Sequence, residues 1–318
     1  MDVSLPVLAA GIAATSAPLV FAALGETLTE KAGVINLSLD GTILLAAMTG
    51  FVTASATGSV WPGFAAAAAT GMAVALILAL VGIWLGQSQV AVGFALTFLC
   101  RDLAYFLGTP YSRTPGPQLL TAPIPGLNDL PVLGPVLFNH SLIVYGSFLI
   151  IPLLWYFMFH TRQGLILRAV GENPEGCWAR GIRPRLTQTI YTALGGALVG
   201  LGGAAYSLAV KPGWGRPQGC EGIGWIALAL VIFGGWHPLR VALGAYIFGL
   251  LQMSGIIMQD MFPTIPSQIF QVAPFPLMIF TLVLIHLSRN VRNTGGSRLL
   301  ALLSGTPPRA LGRTHRQD

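Results

Sequence analysis

Residues 62–86 read PGFAAAAATGMAVALILALVGIWLG, without one charged side chain. A helix needs about 20 predominantly apolar residues to cross the hydrocarbon core of a bilayer, so this run is long enough to span one. The run is continuous, whereas strands of a membrane barrel alternate in segments of about ten residues. Helices also satisfy their own backbone polar groups, which lipid cannot do.

The same texture extends in both directions. Candidate spans are 5–24, 37–57, 62–86, 89–108, 141–159, 188–210, 224–236, 239–259 and 273–288, with 224–236 short enough to be a half-helix or re-entrant piece. The expected fold is all-α, a polytopic transmembrane bundle of about eight to ten helices over residues 1–290. Hydrophobic residues make up 54% of the 318, charged residues 9%, and mean hydropathy is +0.71. A soluble domain carries roughly a quarter charged residues, so this chain has too little charge to cover a surface in water. The apolar stretch 1–25, whose only charge is Asp2, lacks a basic leader and reads as a retained first helix.

The loops divide into two kinds. Residues 109–140 hold seven prolines and only two charges, Arg113 and Asp129. Such proline density cannot continue a helix, so an ordered external loop is expected. Residues 160–187, HTRQGLILRAVGENPEGCWARGIRPRLT, carry five arginines, and 289–318 carry six. Basic residues flanking spans mark the cytoplasmic side. Both regions are therefore placed inside, with 291–318 a flexible basic tail. The net charge of +6 is accounted for by this asymmetry and does not call for nucleic acid.

Catalytic and metal signatures are missing. There is no GxxxxGK[ST], HExxH or GxSxG, and the chain's two lysines, Lys31 and Lys211, follow no glycine. Cys100, Cys177 and Cys220 are odd in number and form no CxxC, so they are expected to be small buried residues, with no metal or cofactor. An enzyme is not expected.

Within the basic loop, Asn173 suits an N-cap and Pro174 the first helical position. Glu175 suits the first turn, and Gly181 with Pro184 stops the chain. This predicts a short helix of about two turns, shaped to dock on a cytoplasmic protein or simply to cover the surface. The glycines at 195, 196, 200, 202 and 203 are read as a packing face inside a span. Asn36 and Asp40, with Glu26 and Glu30 just before them, either cap a helix start or line a polar route. Arg101 and Asp102, adjacent in an apolar span, cannot face each other and each needs its own partner or the interface. Trp214, Glu221 and Trp225 fall in a Gly-rich stretch placed outside, as interface anchors or as a stacking surface for a solute.

Four stretches carry a resemblance. They are Gly25–Leu37 continuing to Asp40-Gly41, Arg168–Pro174 with Gly181-Ile182, Gly195–Gly203, and Gly224–Gly234. In this order the chain resembles the permease subunits of bacterial ATP-binding-cassette (ABC) importers of the branched-chain amino acid/ribose permease superfamily. Among these it is most similar to nucleoside and simple-sugar permeases that work with basic-membrane-protein-type lipoprotein receptors. The likeness covers residues 20–290. It implies that Arg168, Gly171, Glu172, Asn173, Pro174, Glu175 and Gly181 form the ATPase-coupling loop. Two departures stand out: Gly176, Cys177 and Trp178 where the family has small residues, and Ser88-Gln89-Val90 where it has Asn-Gln-Val. Ser88 and Gln89 join Asn36, Asp40, Trp214 and Trp225 as candidate pathway residues.

The resemblance implies a permease subunit of an importer for a small polar solute, a nucleoside or simple sugar, in the bacterial cytoplasmic membrane. Its implied partners are cytoplasmic ABC ATPase subunits that hydrolyse the ATP, a second permease subunit, an extracytoplasmic solute-binding lipoprotein and membrane lipid. The competing expectation is a stand-alone secondary transporter, which needs ionisable residues deep in the bundle.

Overall fold

A computed structural model of the chain describes residues 5–128, 130, 134–262 and 307–313, with isolated positions between 266 and 283. Ten α-helices follow in order: α1 (Leu5–Lys31), α2 (Leu39–Thr57), α3 (Val60–Ala79), α4 (Gln89–Gly108), α5 (Leu142–His160), α6 (Arg162–Glu172), α7 (Pro174–Trp178), α8 (Pro184–Ala205), α9 (Ile223–Phe233) and α10 (Pro238–Met261). Widened turns prolong α3 through Trp84 and α8 through Val210. No strand occurs among the described residues. Seven segments, α1 to α5, α8 and α10, are long and apolar enough to cross a bilayer, and α9 is a shorter apolar helix. The chain is therefore an all-α polytopic bundle. The candidate span 273–288 lies outside the described residues apart from a few isolated positions.

Packing centres on α8, and its glycines explain why. A Cβ at Gly200 would overlap the Ala67 carbonyl of α3, one at Gly195 the Gly25 carbonyl of α1, and one at Gly203 the Ile43 carbonyl of α2. Lipid tails are as apolar as leucine, so close backbone approach is what holds such helices together. The packing reading of this glycine run is met. Gly200→Leu is expected to cost about 3 kcal/mol, the upper part of the range for overpacking. A fall in melting temperature in detergent checks it, and an unchanged melting temperature contradicts it.

Two stretches of backbone inside the bundle are not helical. The first joins α1 to α2. Helix α1 runs seven residues beyond the expected end at 24, so Glu26 and Glu30 lie within it. The chain then turns through Gly33 (φ +91°) and climbs back. Its Leu37 carbonyl accepts the Thr97 hydroxyl at 2.6 Å. Thr97 lies eight residues along α4 from Gln89, or about 12 Å at 1.5 Å per residue, and Gln89 itself accepts the Ile35 N–H at 2.9 Å. Helix α2 thus begins well inside the bundle.

The second stretch is 211–222. It leaves the end of α8 beside the proline-rich loop, where Arg113 N–H donates to the Trp214 carbonyl at 3.0 Å. It reaches the start of α2, where Gly222 meets Asp40. Twelve extended residues can cover about 40 Å, more than the outer half of a span. Helix α9 then runs on to Phe233, and Trp236, in the turn just beyond it, lies beside Glu30. The half-helix expectation for 224–236 is met. Trp225 is corrected: it does not lie outside but at bundle depth, against Phe94 of α4 with ring centroids 5.6 Å apart.

The two basic regions meet at one end of the bundle, where the Ala310 N–H donates to the Gly171 carbonyl at 3.0 Å. The proline-rich loop sits at the other end, one span away along α5. Residues 307–313, within the expected flexible tail, have fixed contacts.

Candidate functional site

At the basic end, Asn173 Oδ1 accepts the Gly176 N–H at 2.9 Å and caps α7, with Pro174 at its first position and Glu175 in its first turn. The Ile182 N–H reaches the Cys177 carbonyl at 3.1 Å and the Gly181 N–H the Trp178 carbonyl at 2.9 Å. With Gly181 at φ +79°, this is the left-handed helix stop that its residue type favours. The expected cap, first-position proline and glycine stop are met, while the helix, at five residues, is shorter than the two turns expected. The loop buries Pro174 and Cys177 and leaves Glu172, Asn173, Glu175 and Trp178 exposed. Burial pushes the Cys177 thiol up, against the lowering effect of the Arg180 charge.

Sequence reasoning missed α6. Its signal was Thr161, whose hydroxyl accepts the Gly164 N–H at 3.0 Å, followed by apolar positions that bury Leu167 and Val170. Arg168 on α6 lies over the Phe159 ring, 5.0 Å from its centroid.

Helix α6 ends on the break between α1 and α2. A Cβ at Gly171 would overlap the Lys31 carbonyl, and one at Gly33 would lie 3.4 Å from the Gly171 Cα. Gln188 of α8 donates to the Ala32 carbonyl at 3.1 Å on the same seam. Immediately beyond Ile35 the polar groups begin.

Asn36 is buried, and its Oδ1 accepts the Ser38 N–H at 3.1 Å and the Ser38 hydroxyl at 2.5 Å. The Asn36 N–H donates to Glu26 Oε1 at 3.1 Å, and the other oxygen, Glu26 Oε2, is buried with no hydrogen-bond partner. Glu30 accepts the Trp236 indole N–H. Trp236 holds a left-handed φ of +54°, a conformation costly for a bulky side chain.

Asp40 corrects the capping alternative. It is the second residue of α2, whose N-cap Ser38 makes no side-chain cap. Its Oδ1 accepts the Gly222 N–H at 2.7 Å and the Gly224 N–H at 3.2 Å. Asp40 therefore caps α9, where its charge also suits the helix dipole.

The other candidates divide. Ser88 Oγ accepts the Ala91 N–H at 3.3 Å and caps α4, while Gln89 is buried against Ile35. Trp214 is 4% exposed and packs against the tilted Tyr105 ring with centroids 5.8 Å apart, so it is a packed wall. Glu221 accepts Tyr105 O–H and the Gln218 and Gly219 amides, which fixes the re-entrant stretch. Trp225, Phe94 and Phe98 are exposed on one face, and exposed Arg101 on α4 lies within electrostatic reach of Asp40. Structure thus brings Asn36, Asp40, Gln89 and Trp225 around the two broken elements and leaves Trp214 behind them.

A bundle crossed by discontinuous helices, with polar groups at the breaks and a capped helix projecting from its basic end, has the build of a polytopic membrane transport protein. The chain belongs to the family described as branched-chain amino acid transport system / permease component, whose profile matches residues 8–284. It is 40% identical over 238 residues to the putative glucose ABC transporter permease protein TsgC13 of Haloferax volcanii, covering 73% of this chain and 72% of that one. It is 32% identical over 284 residues to the guanosine ABC transporter permease protein NupQ of Bacillus subtilis, covering 84% and 88%. With the nucleoside ABC transporter permease protein NupC of Lactococcus lactis it shares 29% identity over 297 residues, 89% and 92% of the two chains. No solved structure matches. The chain is an ABC transporter permease subunit and a multi-pass membrane protein.

Proposed function

We propose that this permease imports a nucleoside or simple sugar across the bacterial cytoplasmic membrane. ATP is hydrolysed by separate cytoplasmic ATPase subunits, a second permease subunit completes the pathway, and an extracytoplasmic binding lipoprotein delivers the solute. One observation carries the coupling part of this reading. Helix α7 is attached through Gly171 to the Lys31–Gly33 break, and that break leads directly into Asn36 and Asp40. Arg168, Gly171, Glu172, Asn173, Pro174, Glu175 and Gly181 transmit the ATPase's motion along this route. Displacement of α7 shifts the break, and with it the start of α2 and the cap of α9.

The solute class rests on the relatives' specificities and on the exposed face formed by Phe94, Trp225 and Arg101. Aromatic faces stack on bases and on the apolar faces of sugars, and a guanidinium donates to ring and hydroxyl oxygens. In this reading Asn36, Asp40, Ser88 and Gln89 shape the route from behind, and Trp214 supports its wall. A permease moves solute only as far as its two conformations bind partners differently.

The test is uptake by the complex reconstituted in vesicles with its ATPase, second permease and receptor, offered labelled guanosine or labelled glucose. ATP-dependent accumulation of one of them is expected. Accumulation by the chain without any ATPase would replace this reading with secondary transport.

A further inference from the structure

Residues 307–313 lie across the seam between the coupling loop and the α1–α2 break. Their two amides face different loops: Ala310 N–H donates to the Gly171 carbonyl at 3.0 Å and Gly312 N–H to the Gly33 carbonyl at 3.0 Å. Pro308 and Ala310 are buried, and Leu311 packs against the main apolar core. A Cβ at Gly312 would press on Ile35, the residue held by Gln89. Arg309 and Arg313 remain exposed and enclose, with Glu172, Asn173, Pro174 and Glu175, a recess of about 260 Å³.

We propose that this C-terminal strap is the second half of the ATPase-docking surface, clamping the coupling loop to the α1–α2 break. The proposal rests on the coupling reading above. The recess presents carboxylates and guanidinium groups side by side, so the partner it fits is a protein surface bearing both signs of charge, as a cytoplasmic ATPase contacting α7 would offer. The clamp makes α6, α7 and the break move as one body. Without it, the contact at Gly171 alone passes on the motion, and less of it reaches Asn36 and Asp40.

Three versions of the full complex test this: a chain ending at Thr306, Leu311→Asp in the full-length chain, and Glu172→Ala with Asn173→Ala. Both strap variants are expected to lower ATP-driven uptake about tenfold, within the usual range of coupling between sites. Hydrogen exchange of the peptide spanning 307–313 in the unaltered complex provides a readout that does not depend on a truncated chain folding. Protection lost in Leu311→Asp is expected. The proposal fails if that peptide exchanges like an unstructured one, or if both strap variants import at the full rate. Should they do so while the Glu172/Asn173 change abolishes uptake, the strap is rejected and the coupling reading stands. Should none of the three matter, the coupling reading fails as well.

Discussion

With Glu172 and Asn173 both replaced by alanine, the assembled transporter is expected to hydrolyse ATP while moving almost no solute. Asn173 caps α7 with its side chain, through its 2.9 Å bond from Gly176. Losing an N-cap costs about 1 kcal/mol, and a helix of one or two turns has no cooperative reserve, because isolated helices shorter than about 12 residues are marginal in water. The helix is therefore expected to fray where, on the proposed coupling route, force enters. Glu172 is the exposed carboxylate at the end of α6, within electrostatic reach of Lys31, and its removal takes a charge from the proposed docking surface while leaving the packed core unchanged. Membrane insertion should be normal, because every long helix is unchanged. Asn173→Ser separates the two contributions: it keeps a capping oxygen and should keep most of the uptake. Parallel measurement of ATP hydrolysis and solute uptake checks this, and undiminished uptake by the double variant would refute the coupling assignment.

How much of this was legible beforehand depended on how local each signal was. The capped helix after Gly171 could be read because the cap, the first-position proline and the terminating glycine lie within nine residues. The spans could be read because lipid demands long uninterrupted apolar runs. The end of α1 was misplaced because Glu26 and Glu30 look like a return to water. Their partners are the Asn36 N–H and the indole of Trp236, the latter 206 positions away, and no window of sequence contains both. Trp225 was set outside for a similar reason. A glycine-rich stretch after a span reads as a loop, and only contacts with Asp40 and Tyr105 show it turning inward.

The same non-local logic makes Asp40 a sensitive position within the bundle. Asp40→Ala removes the acceptor of two amides at the start of α9, in a place where water does not compete. A buried donor left unsatisfied costs about 1–3 kcal/mol, and the loss of a carboxylate at a helix N-terminus adds up to about 2 kcal/mol in partly buried geometries. The variant is therefore expected to melt several degrees lower in detergent and to lose uptake, since α9 carries Trp225 and leads to Trp236 at the basic end of the bundle. Asp40→Asn retains a carbonyl oxygen for Gly222 and sacrifices only the charge. It should recover most of the melting temperature and a measurable part of the uptake. That ordering, aspartate above asparagine above alanine in both measurements, is what helix anchoring predicts. If the asparagine variant melted like the original yet transported no better than alanine, Asp40 would be acting on the solute itself. If alanine matched aspartate in both, the α2–α9 junction would have no part in the transport cycle.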